Sequence, residues 1–225
     1  MKAILKQHLT FSDFLLIAAN LVPVWGVWFD GWDAKMIFLV YCLESVIVGL
    51  YNLVQMWMVT LVKKQDVWQN GESSSMVSGY VFMLFFLVHY GFFIFVQLKI
   101  FLSIVSIKGL QDDVFQLLFH FQHYLPGYAL WLLLYFTITY GLVVVKDFVM
   151  TGIYRSIDLG TLMFAPYARI FIQQFVVIVG SFALLFNKEG KVFILVFVLF
   201  KIFFELLINY QKIMEEAIKK RSVKE

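Results

Sequence analysis

Apolar residues occur along the chain in long runs that short polar stretches separate. The run from residue 34 to residue 62 holds 29 residues, with one charged residue, Glu44, in its interior. A helix needs about 20 mostly apolar residues, each rising 1.5 Å, to cross the hydrocarbon of a bilayer. This run therefore predicts a membrane-spanning helix that carries a carboxylate inside the hydrocarbon.

The same pattern recurs and predicts an all-α integral membrane bundle of about six transmembrane helices. The predicted spans are residues 11–29, 34–62, 76–99, 128–147, 166–186 and 192–209. Asn20 and Pro23 interrupt the first span, and a proline inside a membrane helix usually bends it. We expect residues 1–209 to form a single transmembrane domain and residues 210–225 to form a charged cytoplasmic tail.

Two polar stretches interrupt this series of spans. Residues 63–75 combine charged residues, serines and glycine, a composition typical of a loop. Residues 112–124 place apolar side chains at helical spacing, with His120 and His123 on the opposite side. That second pattern predicts a peripheral amphipathic helix lying on the membrane or covering one end of the bundle.

Composition strengthens the membrane interpretation. Hydrophobic residues make up 62% of the 225 residues and aromatic residues 19%, whereas soluble domains are roughly 45–50% apolar. The net charge of +3 is small, and we expect membrane lipid rather than nucleic acid as a partner. The single cysteine, Cys42, excludes an intrachain disulfide and is interpreted as a buried packing residue.

The distribution of lysine and arginine predicts the orientation. With both chain termini on one side, that side holds eleven of these residues near helix ends and the opposite side holds four. Positive residues accumulate on the cytoplasmic side of membrane proteins. We therefore expect a protein of the inner, cytoplasmic membrane with both termini in the cytoplasm.

Polar side chains inside the second and third predicted spans are the candidate binding residues. Ionisable groups in the hydrocarbon are costly and usually face other helices or water, where they are often functional. The predicted set is Glu44, Asn52, His89, Tyr90 and Gln97. Glu44 and His89 have similar estimated depths on helices adjacent in the chain, so we hypothesise that they meet. A structural hydrogen bond between the two helices and a titrating or ligand-binding pair both remain open.

Other charged residues have simpler interpretations. Lys201 with Glu205, and Lys146 with Asp147, are close enough in sequence to neutralise one another as structural pairs. Arg169, near the cytoplasmic end of the fifth span, is a candidate for binding an anionic headgroup or substrate, and Gln174 of the same span is a further candidate ligand-binding residue.

The sequence offers only weak indications of a metal or a cofactor. His120 and His123 have the spacing of metal ligands, but two histidines on a polar helix face are common by chance. Sequence signatures of serine hydrolases, zinc proteases, phosphate-binding loops and dithiol oxidoreductases are missing. A heme with two axial histidines is disfavoured because only one histidine, His89, lies well inside a predicted span. The cofactor is unknown.

Several short motifs together resemble an uncharacterised prokaryotic family of multi-pass membrane proteins, a domain of unknown function. The motifs are Asn20-Leu21-Val22-Pro23 with Gly26, Gly31-Trp32, Tyr41 with Leu43-Glu44, His89-Tyr90-Gly91, Ala165-Pro166-Tyr167-Ala168-Arg169, and Lys201 with Glu205. The resemblance implies the same helical fold and supports Glu44, His89 and Arg169 as site residues. Proteins of the resembled family often carry histidines at two positions where this chain has Gln97 and Gln174. This departure disfavours a histidine-rich metal or heme site.

These observations favour a transporter, channel or sensor that holds an ion or small ligand at a mid-membrane polar site. The alternatives are an intramembrane acid–base enzyme acting on a lipid-like substrate, and a structural subunit of a membrane complex. We expect a non-enzymatic role, and either a homo-oligomer or a partner subunit is compatible with the sequence.

Overall fold

The computed structural model describes residues 9–70, 73–107, 109–110, 113–167, 170–171 and 191–203. Over these residues the chain is predominantly helical. Four helices are long and apolar enough to cross a membrane: Phe11–Phe29, Ala34–Lys63, Gly79–Ile104 and Gly127–Val149. Most of the predicted span 166–186, the end of the span 192–209 and the tail 210–225 lie outside the described residues, so the count of six spans stays a prediction.

The first two helices begin at polar caps that the sequence places just before each apolar run. Helix α1 (Phe11–Phe29) has a capping box, in which the Thr10 hydroxyl accepts from the Asp13 amide at 3.2 Å and the Asp13 carboxylate accepts from the Thr10 amide at 2.8 Å. Helix α2 (Ala34–Lys63) begins after Asp33, whose carboxylate accepts from the Lys35 amide at 2.8 Å. Such caps satisfy amides that have no partner within the helix.

A β-hairpin follows α2, and the loop predicted for residues 63–75 is wrong. Strand β1 (Gln65–Asn70) pairs antiparallel with strand β2 (Ser73–Ser78), with Asn70 opposite Ser73. The physical reason is that pairing satisfies the backbone amides and carbonyls of a polar segment, and glycine at the first of two connecting positions, here Gly71, favours a hairpin. Because β2 continues to Ser78, the next helix begins at Gly79 rather than at residue 76.

The remaining described helices are α3 (Gly79–Ile104), α4 (Val114–Tyr124), α5 (Gly127–Val144), α6 (Leu159–Phe164) and α7 (Lys191–Ile202). A π-helical turn, Val145–Val149, continues α5. In the predicted amphipathic segment, the Asp113 carboxylate caps α4, and Val114 and Leu117 are buried. His120, in this helix, has a non-helical backbone conformation, so α4 is bent there.

Helix α2 occupies the centre of the described bundle. It contacts α3, α5 and α6, while α1 contacts α5 and α7. Phe38 of α2 stacks on Phe101 of α3 with ring centroids 5.8 Å apart, and it contacts Phe197 of α7 at 5.0 Å. Residues 37–45 of α2 are all buried, so Glu44 lies within the protein and not at its lipid-facing surface.

Candidate functional site

Glu44 is the centre of a buried polar cluster assembled from four helices. Its side chain is fully buried and forms an ion pair with Lys201 of α7, which is 3% exposed. The Lys201 ammonium donates to Oε2 of Glu44. The Tyr140 hydroxyl of α5 donates to Oε1 at 2.6 Å. Both carboxylate oxygens therefore accept strong hydrogen bonds inside the bundle.

Asn20 of α1 completes the cluster from the other side of Lys201. Its Oδ1 accepts from the Lys201 ammonium at 2.7 Å, and its backbone carbonyl accepts from the Tyr41 hydroxyl at 3.1 Å. The ammonium also lies 4.4 Å from the ring centroid of Tyr41, within the range of a cation–π interaction. We call Asn20, Tyr41, Glu44, Tyr140 and Lys201 the charge centre.

The electrostatics of the charge centre favour direct contact between the Glu44 carboxylate and the Lys201 ammonium. A carboxylate or an ammonium alone in a low-dielectric interior is costly, and here each charge is paired and hydrogen-bonded. The net charge of the Glu44–Lys201 pair is zero. Removing either charge leaves the other buried without its counter-ion, which is costly. The ion pair therefore links α2 to α7.

Two helices at the charge centre are irregular close to it. Pro23 lies inside α1, three residues after Asn20, and a proline removes one hydrogen bond of the helix ladder. The π-helical turn Val145–Val149 begins five residues after Tyr140 in α5, and single π turns occur frequently at functional sites. The helices that supply Asn20 and Tyr140 are thus irregular near the ion pair.

The predicted Glu44–His89 pair is wrong. Among the described residues, His89 contacts Tyr167, with its Nδ1 2.7 Å from the Tyr167 hydroxyl, and Glu44 contacts Lys201 and Tyr140 instead. The reason is helical rotation, because successive residues point about 100° apart. Tyr90 faces α2 and donates its hydroxyl to the Ser45 carbonyl at 3.0 Å, so its neighbour His89 faces away from α2.

The other candidates on α2 and α3 are buried but serve separate contacts. The Asn52 amide donates to the Leu162 carbonyl at 3.2 Å, which links α2 to α6. Gln97 is completely buried beside the Cys42 thiol, and among the described residues its amide forms no other hydrogen bond. Neither side chain forms a hydrogen bond with the charge centre, whereas Tyr90 packs its ring against Gly49 of α2.

The remaining candidates do not join the charge centre in the part of the chain that the structure describes. Arg169 and Gln174 lie outside the described residues, as does Glu205, the predicted partner of Lys201. His120 and His123 place their ring centroids 5.9 Å apart. Within the described ranges, no group of three or more His, Cys, Asp or Glu residues is placed to hold a metal ion.

The structure adds site residues that the sequence did not assign. Asn20, Tyr41 and Tyr140 supply the neutral groups of the charge centre, and Lys201 supplies the positive charge. One signal was available for Lys201, since it lies well inside an apolar run, as Glu44 does. Two opposite charges in separate membrane helices are expected to pair. Tyrosines, by contrast, are too frequent in this chain to be singled out by type.

The four long apolar helices of the described ranges, together with an internal ion pair, are typical of multi-helix membrane proteins. The chain belongs to the family of unknown function DUF6498, whose family model matches residues 3–223. The resemblance to an uncharacterised family is therefore confirmed. No curated protein and no solved structure matches the chain.

Proposed function

We propose that this protein is an ion- or proton-coupled membrane transporter or sensor that works through the charge centre. The observation that supports the proposal is the buried ion pair between Glu44 and Lys201, two residues that are 157 positions apart in the sequence. Ionisable residues inside a membrane bundle commonly mark ion pathways and proton relays.

In the proposed mechanism, a bound ion competes with one member of the Glu44–Lys201 pair for contact with the other member. A proton or a cation that binds Glu44 weakens its attraction to Lys201, and an anion that binds Lys201 weakens the same contact from the other side. Once the ion pair opens, α7 is released from α2, and the irregular helices α1 and α5 can shift beside it. A two-state contact of this kind is what alternating access or signalling requires.

The setting of this activity is also part of the proposal. The bundle lies in the cytoplasmic membrane of a prokaryotic cell with both termini in the cytoplasm, as the lysine and arginine distribution predicts. Membrane lipid surrounds it, an ion or a small ligand is its substrate, and it works alone, as a homo-oligomer or with a partner subunit. Arg169 and Gln174 remain candidate contacts for the ligand on the fifth predicted span.

Proton flux into proteoliposomes tests the proposal. Purified protein is reconstituted into vesicles that contain the pH indicator pyranine, and a potassium gradient with valinomycin sets the membrane potential. We expect the wild-type protein to acidify the lumen faster than protein-free vesicles do. Glu44→Gln and the double variant Glu44→Gln/Lys201→Met should both lose this flux, because neither retains the protonatable carboxylate.

The surface carboxylate Asp158, whose side chain is 70% exposed, supplies the matched control, and Asp158→Asn should retain the flux. Circular dichroism and gel filtration establish that each variant is folded. Wild-type flux equal to that of empty vesicles contradicts proton coupling. Full flux in the double variant assigns the charge centre a purely structural role and overturns the proposal.

A further inference from the structure

A second polar group lies at the surface of the bundle, near the middle of helix α3. His89 is exposed, and it lies ten residues beyond Gly79, the first residue of α3. At 1.5 Å per residue this is about 15 Å along the helix, roughly half of the hydrocarbon thickness. An imidazole exposed at this depth faces acyl chains that offer no hydrogen bond.

Tyr167 holds this imidazole in place. The Tyr167 hydroxyl is 2.7 Å from Nδ1 of His89, and the tyrosine itself is 6% exposed. Among the described residues the other ring nitrogen, Nε2, forms no hydrogen bond, and the His89 side chain is exposed. A neutral imidazole has one donor and one acceptor nitrogen, so when the Tyr167 hydroxyl donates to Nδ1, Nε2 carries the proton and is the donor.

Aromatic rings surround His89. Phe85 stacks on the imidazole with centroids 5.2 Å apart and an angle of 22° between the planes. Phe93 meets it edge-on, also at 5.2 Å, and Phe171 lies 5.6 Å from Phe93. Phe85 and Phe171 are 39% and 59% exposed. Rings in this arrangement favour a flat aromatic or conjugated molecule over a flexible acyl chain.

We infer that His89 and Tyr167, with the phenylalanines around them, form a lipid-accessible binding site for a ring that bears carbonyl groups, the quinone class. Such a molecule dissolves in the hydrocarbon, stacks on Phe85 and accepts a hydrogen bond from the imidazole. Depth disfavours a phospholipid headgroup, which lies at the interface and not at mid-membrane. Helix partners in membranes usually meet at small residues, whereas large phenylalanines flank His89 here.

Photolabelling in lipid nanodiscs tests the site, independently of the charge centre. The protein is irradiated with an azido-ubiquinone, with decylubiquinone as competitor, and labelled peptides are mapped by mass spectrometry. We expect competed label on α3 around His89. His89→Phe keeps the ring but removes the hydrogen bond, so it should weaken decylubiquinone binding about tenfold. Tyr167→Phe should weaken it less, because the imidazole loses only its orienting partner.

His120→Phe on α4 is the matched control and should bind like the wild type. Glu44→Gln/Lys201→Met should also bind decylubiquinone like the wild type. The binding result can therefore be interpreted even if the proton-coupling proposal fails. Label that decylubiquinone does not displace, or equal affinity in His89→Phe, overturns the inference. A cross-link from α3 to a second polypeptide also overturns it, since a protein helix would then cover His89.

Discussion

Two of the lysine–carboxylate ion pairs among the described residues lie in contrasting surroundings. Lys201 and Glu44 meet inside the bundle, with side chains 3% and 0% exposed. Lys63 and Asp158 meet at the end of α2, 3.0 Å apart, with side chains 22% and 70% exposed. The chemical groups are equivalent in the two pairs, and only the surroundings differ.

The comparison shows that burial decides what an ion pair does. Asp158 is largely exposed to water, and the Lys63 ammonium keeps Asp66 as a second carboxylate partner at 3.5 Å, so the Lys63–Asp158 contact contributes about 0–1 kcal/mol. Glu44 and Lys201 have lost their water, and each depends on the other. Loss of the Lys63–Asp158 pair should therefore change stability little. Glu44 and Lys201, by contrast, each need either the other or a different partner of opposite charge.

Removal of one buried charge should give the largest effect. We expect Lys201→Met to lower the free energy of unfolding by about 3–5 kcal/mol, because Glu44 stays buried without a counter-ion. Unfolding in mixed detergent micelles, followed by circular dichroism as the sodium dodecyl sulfate fraction rises, measures this loss. The double variant Glu44→Gln/Lys201→Met should recover most of the stability. A loss below about 1 kcal/mol for Lys201→Met would show that the pair is solvated like the exposed one.

Loss of the tyrosine hydroxyl at the charge centre should give the next largest effect. Tyr140→Phe keeps the ring but removes the 2.6 Å hydrogen bond to Glu44, and hydrogen bonds to charged groups contribute about 1.5–3 kcal/mol. The same micelle unfolding measures it. Tyr135→Phe, five residues earlier on α5, is the matched control and should change stability little. Equal stability in the two variants contradicts the role assigned to Tyr140.

An intermediate effect is expected at Asp66, in the hairpin near Lys63. One oxygen of its carboxylate accepts from the Leu159 amide at 2.8 Å, and this joins β1 to the start of α6. We expect Asp66→Ala to cost about 1–2 kcal/mol, like the loss of a helix cap. Hydrogen exchange should quicken at Leu159, while Ser75→Ala on β2 leaves it unchanged. Unchanged protection of Leu159 in Asp66→Ala would contradict the contact.

The exposed pair itself should give the smallest effect. Asp158→Asn should reduce the free energy of unfolding by less than about 1 kcal/mol, and the difference should shrink further as salt screens the charges. Unfolding at low and high ionic strength measures both. A loss as large as that of Lys201→Met would remove the distinction between the two environments.

Much of the fold was predictable because local patterns determine it. The bounds 11–29 predicted for α1 agree with Phe11–Phe29, and the apolar run from residue 34 ends one residue from the observed end of α2. The hairpin was missed because the composition of residues 63–75 is that of a loop, although Gly71 at the first of two connecting positions is a local hairpin signal. The helices and caps follow from neighbouring residues, which a sequence displays directly.

The sequence by itself determined that this chain forms apolar helices of membrane-spanning length and that Glu44 is buried in one of them. Only the tertiary structure decided that Lys201, Asn20 and Tyr140 surround that carboxylate and that His89 turns toward Tyr167. The physical reason is that the rotation of each helix and the choice of its neighbours depend on packing across the whole bundle. A rotation of one residue, about 100°, is enough to exchange one partner for another.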